Sequence, residues 1–143
     1  MKFGHINLVA RDLDLIVSFY VAVFGCVERG ERRRLAGAQF DKGNGLLECE
    51  IFAARLSLPG LDGLFLEIFE YKARVDRGAP AVNAPGFGHL SFDVPDIEAA
   101  LEAALTAGGT RLGEITNLGS ESAPCLCVYL RDPEGNILEL EQS

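Results

Sequence analysis

The sequence predicts an α+β protein made of two tandem βαβββ modules, and three observations carry that prediction. The first is a repeat: Phe3-Gly4-His5 returns as Phe87-Gly88-His89. With the tripeptides aligned, the aspartate seven places after each histidine coincides (Asp12, Asp96), an aliphatic residue follows it (Leu13, Ile97), and the register holds to Gly25 and Gly109. The second is a change of period inside each copy, from strand alternation before the aspartate to helical spacing after it. The third lies at the ends, where aligning Asp62-Gly63-Leu64-Phe65-Leu66-Glu67 with Glu134-Gly135-Asn136-Ile137-Leu138-Glu139 brings Glu67 onto Glu139. Each copy therefore opens on a histidine and closes on a glutamate, and His5 and His89 are the only histidines in the chain.

Residues 3 to 10 alternate, with His5, Asn7 and Val9 on one side and Ile6, Leu8 and Ala10 on the other, as in a strand with two different faces. Asp12 is a natural N-cap. The segment Leu13, Ile16, Val17, Phe19, Tyr20, Val23, Phe24 has helical spacing and ends at Gly25. Residues 27 to 35 read as a second strand, and 36 to 45, with three glycines, Asp41 and Asn44, as a loop. A third strand is expected from about 46 to 58, closed by Pro59-Gly60, and a fourth from 64 to 71 after the turn at Asp62-Gly63.

The polar stretch from Lys72 to Gly86, with Pro80 and Pro85, joins the copies. In the second copy His89, Ser91 and Asp93 share one strand face and Leu90, Phe92 and Val94 the other. Asp96 caps a helix whose apolar side is Ile97, Ala100, Leu101, Ala104 and Leu105, ending at Gly108-Gly109. Three strands follow, at 111 to 116, 125 to 130 and 136 to 141, the last two joined by the tight turn Asp132-Pro133-Glu134-Gly135. The chain is read as one domain over residues 1–143, with module 1 at 1–74, a linker at 75–86 and module 2 at 87–143.

With 143 residues, 48% hydrophobic and 24% charged, the chain can bury a real core. No apolar run approaches the roughly 20 residues that span a bilayer, and the N-terminus enters a strand without a signal pattern. These features point to the cytoplasm. The net charge of −8 argues against nucleic acid or an anionic membrane as partner. Four cysteines, Cys26, Cys49, Cys125 and Cys127, in a chain of this kind are expected as free thiols. Cys125-x-Cys127 lacks companion ligands and reads as small buried residues. The basic cluster Arg29, Arg32, Arg33 and Arg34 reads as a solvated edge strand, and its other reading is a clamp for an anionic group.

Two histidines and two carboxylates in symmetric places suggest a mononuclear metal site. A glutamate inside a strand as apolar as 64 to 69 is costly unless it is paired or bound to a cation, so Glu67 calls for a partner. His5, Glu67, His89 and Glu139 form an N₂O₂ set suited to a divalent ion such as Zn²⁺, Ni²⁺, Co²⁺, Mn²⁺ or Fe²⁺. In an octahedral ion two positions stay open.

The residues resemble the vicinal oxygen chelate superfamily, which holds glyoxalase I, methylmalonyl-CoA epimerase, fosfomycin and bleomycin resistance proteins and the extradiol dioxygenases. The marks are Gly4-His5 with Arg11-Asp12-Leu13 and Phe19-Tyr20, Gly88-His89 with Val94-Pro95-Asp96-Ile97, and the ending Arg131-Asp132-Pro133-Glu134-Gly135-Asn136-Ile137-Leu138-Glu139-Leu140. The resemblance covers nearly the whole chain. It implies curved mixed sheets around a metal-binding cleft, a homodimer, a small-molecule substrate, and the ligand set His5, Glu67, His89 and Glu139. Four protein ligands are similar to the pattern of glyoxalase I and the epimerase, which implies an isomerase or lyase moving a proton at a carbon next to a carbonyl or thioester through a metal-stabilised enediolate. The base implied is Glu139, with Glu48 or Glu50, expected on one face of the third strand, behind it. The family also holds extradiol-type dioxygenases and resistance-type binding proteins, which stand as the alternative readings. Glyoxalase I members carry a glutathione-binding arginine four residues after the first histidine, and this chain has Val9 there.

Overall fold

The computed structural model describes all residues from Met1 to Ser143, and the chain divides into two compact units, Met1–Arg77 and Gly78–Ser143. Each unit is a five-stranded mixed sheet with one long helix, an α+β arrangement.

In the first unit β1 (Ile6–Ala10) leads into α1 (Leu13–Phe24), followed by β2 (Val27–Glu28), β3 (Arg33–Ala36), α2 (Ala38–Asn44), β4 (Glu50–Ser57) and β5 (Phe65–Tyr71). The helix starts where Asp12, in extended conformation, accepts a hydrogen bond from the Leu15 N–H at 2.9 Å. It stops at Gly25, which at φ 66 takes the left-handed cap conformation and returns its N–H to the Tyr20 and Val21 carbonyls. Ile16, Val17, Phe19 and Tyr20 are buried on its inner side, each worth about 1.5–3 kcal/mol of apolar burial. They meet Ala54 and Leu56 of β4 and Leu66 and Ile68 of β5, which are also buried. Strand alternation then sends Arg55, Phe65, Glu67 and Phe69 to the opposite face.

The sheet order is β1-β5-β4-β2, with β3 also on β4. β1 runs parallel to β5 and the other pairs are antiparallel. Because β2 faces Leu56 and Ser57 while β3 faces Glu50 to Ala53 of the same strand, the expected second strand exists but is broken in two. The break contains Gly30 at φ 67, a left-handed conformation that ends regular pairing. The segment expected as a loop between 36 and 45 holds the short helix α2, closed by Gly45 at φ 76.

The second unit repeats the plan with β6 (Leu90–Asp93), α3 (Ile97–Thr106), β7 (Thr110–Arg111), β8 (Thr116–Asn117), β9 (Leu126–Arg131) and β10 (Ile137–Gln142) in the order β6-β10-β9-β7, with β8 on β9. Asp96 caps α3 as Asp12 caps α1, accepting from Ala99 at 3.0 Å. The first free helical N–H is also met the same way in both copies: Leu13 donates to Glu70 and Ile97 to Gln142, each 2.8 Å and each three residues beyond the closing glutamate. Here too the expected strand at 111 to 116 is broken, by a bulge in which the Leu112 and Gly113 N–H groups both donate to the Tyr129 carbonyl. The turn at 132–135 is held by the buried Asp132, whose carboxylate accepts from the Glu134 and Asn136 backbone at 2.9 Å each.

No helix is long and apolar enough to cross a membrane. All four cysteines are free.

Candidate functional site

In the first unit His5 stands one residue ahead of β1, and Asn7, two residues on, lies opposite Glu67 in the parallel pair with β5. The Glu67 side chain is buried between the apolar neighbours Leu66 and Ile68, yet it points to the face away from α1. One of its oxygens, Oε2, faces His5 Nε2 at 3.3 Å, with the Asn7 amide at 3.5 Å. The other, Oε1, accepts from Arg55 through both Nε and Nη2 at 3.1 Å. Arg55 is the direct cross-strand partner of Glu67, so the cation that the apolar strand demanded comes from β4. The His5 ring stacks on Phe65 at 5.1 Å and 19°.

In the second unit Glu139 is likewise buried, and its Oε2 faces His89 Nε2 at 3.0 Å. The partners of the remaining oxygen differ. Cys127 donates its thiol to Oε1 at 3.0 Å, and Tyr129, the cross-strand partner of Glu139, hydrogen-bonds the same carboxylate. Burial, reinforced by Glu139, pushes the Cys127 thiol up to about 12, so it remains a protonated donor. Tyr129 is also raised, first by its bond to Glu139 and then by burial. Burial alone would raise the Glu139 carboxyl. Hydrogen bonds from Cys127 and Tyr129 and the nearby His89 more than offset that and hold it below the usual carboxylate range. The His89 ring meets Tyr129 edge-on, 5.2 Å away.

Each unit thus brings one predicted histidine and one predicted glutamate together. Glu48 and Glu50 are not neighbours on one strand face: β4 begins at Glu50, and Glu48 precedes it at φ 53 with its N–H held by Asp41. Glu50 sits on the sheet face opposite Glu67, paired with Arg34 at 2.6 Å and Lys72 at 3.1 Å. Those hydrogen bonds, Arg34 first, lower its carboxyl to about 2, which makes it a poor proton acceptor. Sequence reasoning missed Arg55 and Tyr129, because neither is visible without the strand register. Cys127 was visible, but its meaning depends on where Glu139 lies.

The donor set suits a divalent cation. Metal bonds of about 2.0–2.2 Å at neighbouring positions put a nitrogen and an oxygen ligand about 3 Å apart, close to the 3.3 Å and 3.0 Å spacings here. The histidine side chains keep 42% and 34% of their surface open while the glutamates are held below 11%, so the imidazoles are the accessible members. No group of three or more His, Cys, Asp or Glu side chains is gathered as a metal cage.

Among protein-family models, that of the Glyoxalase/Bleomycin resistance protein/Dioxygenase superfamily matches residues 2–140. No curated protein matches the sequence. Among solved structures, a glyoxalase family protein from Bacillus cereus is 23% identical, with 99% of this chain and 93% of that one covered at a TM-score of 0.86. A glyoxylase/bleomycin resistance protein/dioxygenase domain from Frankia is also 23% identical, covering 100% and 92% at 0.68. A glyoxalase I mutant from Zea mays is 19% identical at 0.70, and this chain spans 44% of its length. At these identities the likeness is one of fold.

Proposed function

We propose, because the chain belongs to the Glyoxalase/Bleomycin resistance protein/Dioxygenase superfamily, that it is a metal-dependent lyase or isomerase of glyoxalase or epimerase type, moving a proton at a carbon next to a carbonyl or thioester. The observation that carries this reading is the pairing, in both units, of a half-open histidine Nε2 with a buried glutamate oxygen at 3.0–3.3 Å. His5, Glu67, His89 and Glu139 serve as ligands of a divalent ion, Zn, Ni, Co, Mn or Fe. The ion, when bound, supplies Lewis-acid polarisation of the substrate's carbonyl oxygen.

The chain's own residues divide the remaining work. Glu67 is neutralised by Arg55 and stays a ligand. Glu139 is held by the neutral donors Cys127, on Oε1, and Tyr129, and its Oε2 takes the proton from the substrate carbon and returns it to the product. The low carboxyl pKa keeps it ionised at neutral pH. Cys127 and Tyr129 position it by donating hydrogen bonds. Glu50, held low by Arg34 and Lys72 on the sheet face opposite Glu67, is not a base in this reading, and Glu48, in the turn before β4, stands behind Glu139. The protein acts on a small molecule, as a homodimer in the cytoplasm.

Solvent-deuterium exchange tests the proposal. The metal-loaded protein is expected to wash deuterium into the acidic position of a 2-oxo compound or an acyl thioester. No exchange across a broad panel would overturn it. Iron content with O₂ uptake on catechols would replace it with an extradiol-type dioxygenase, and tight aromatic-ligand binding without metal would replace it with sequestration.

A further inference from the structure

Strand alternation sorts the basic cluster of the first unit by face. Arg32 pairs with Glu28 and with Asp14 of α1, and Arg34 pairs with Glu50, so these two are neutralised on the helix side of the sheet. Arg29 and Arg33 fall on the other face, the one that carries His5, Phe65 and Glu67. The Arg29 N–H bonds the Arg55 carbonyl at 2.7 Å, and Arg33 stands opposite Ala53, two residues before Arg55 on β4. Neither Arg29 nor Arg33 has an acidic partner. Three arginines of the strands and their edge therefore stand on this face against one carboxylate, Glu67, in a chain whose net charge is −8. Of these, Arg29 and Arg55 lie beside the candidate ligands, with Arg55 on Glu67 and both over Phe65.

Pairing with β4 aims one of them. Held opposite Arg55 by its own N–H at the end of β2, Arg29 lays its guanidinium over the Phe65 ring, 5.4 Å from the centroid, and Arg55 lies over the same ring at 5.1 Å. His5 stacks on that ring as well. Arg55 spends Nε and Nη2 on Glu67, which leaves Nη1, while Arg29 is exposed and makes no ion pair.

We propose that Arg29, completed by the outward N–H of Arg55 and backed by Phe65, is a carboxylate-binding subsite, so the substrate is an anionic carbonyl compound. The subsite is one aromatic ring away from His5, so the bound carboxylate lies several bonds from the reacting carbonyl. A planar guanidinium with a free edge matches a carboxylate in shape and charge, and the excess positive charge has no internal acid to satisfy it. The assignment of the reacting carbonyl to the His5–Glu67 side rests on the proposed function. The anion site itself does not.

Calorimetric titration of the chelator-treated full chain at low salt separates the two claims, with 2-oxoglutarate and 2-oxopentanoate as probes. They differ only in the remote carboxylate. 2-Oxoglutarate is expected to bind about tenfold tighter, and Arg29→Gln should bring the two within twofold while leaving metal uptake in a parallel titration unchanged. Arg29→Lys should recover part of the preference, and Arg32→Gln should match the wild type because that arginine is already neutralised. Equal affinities in the wild type, no detectable 2-oxoglutarate binding, or a preference that survives Arg29→Gln would each overturn the subsite. Loss of metal uptake in Arg29→Gln would also count against it, by making Arg29 part of the ligand shell's support.

Discussion

The two units make the same histidine–glutamate pair with different backing. Glu67 and Glu139 occupy equivalent places in parallel-paired closing strands, and each turns Oε2 to a histidine. The residue directly across the sheet is Arg55 in one case and Tyr129 in the other. One glutamate is therefore charge-compensated and the other is held by neutral donors, Cys127 and Tyr129. A duplicated unit can thus specialise without disturbing its fold: one cross-strand position sets whether the buried carboxylate is balanced by a cation or held by neutral hydrogen-bond donors.

The largest expected effect breaks that comparison in function. At saturating metal, Glu139→Gln should slow solvent-deuterium exchange by about 10² or more, the scale of a lost general base, whereas Glu67→Gln should cost less than about tenfold. Equal losses would erase the division of labour.

Stability offers the next test. Removing the metal and titrating with denaturant, Arg55→Ala should cost about 2 kcal/mol, since a buried carboxylate loses its cation, with the half-open arginine keeping the figure below that of a fully buried pair. Cys127→Ala should cost about 1 kcal/mol, because Tyr129 and His89 still serve Glu139. The order of the two values, read from denaturation midpoints, sharpens the contrast. By comparison, Asp12→Ala and Asp96→Ala should cost about 1 kcal/mol each, because the caps are alike in both units.

The smallest effect is on acid stability. Glu50 and Glu139 both titrate below their unfolded range, so the stability they lend is present above about pH 4.5 and is lost as pH falls toward the folded value, about 2 for Glu50. Glu50→Gln should flatten the decline of melting temperature between pH 5 and pH 2, and an unchanged slope would remove the Arg34–Glu50–Lys72 network from the account.

Much of this was legible in the chain because duplication writes it twice. His5 and His89, Asp12 and Asp96, and Glu67 and Glu139 all stand in one register, and a polar residue in an otherwise apolar strand announces itself. What could not be read depends on pairing between distant strands. The breaks at 29–32 and 112–115 fall opposite Arg55 and Tyr129, and a bulge is set by the partner strand, not by local propensity. The helix α2 hid because three glycines, Gly37, Gly43 and Gly45, with Asp41 and Asn44 among them, read as a loop, although Ala38 to Lys42 suit one turn of helix and Gly45 caps it. Glu48 was expected to continue a strand, but Asp41 binds the Glu48 and Cys49 N–H groups and holds that segment as a turn.

The proposed role of the histidine–glutamate pairs in divalent-metal binding is tested most directly by the metal content of protein purified without chelator, for the wild type, His5→Ala and His89→Ala. Close to one divalent ion per chain is expected in the wild type, with most of it lost in either variant. Metal that is unchanged when both histidines are replaced would contradict it.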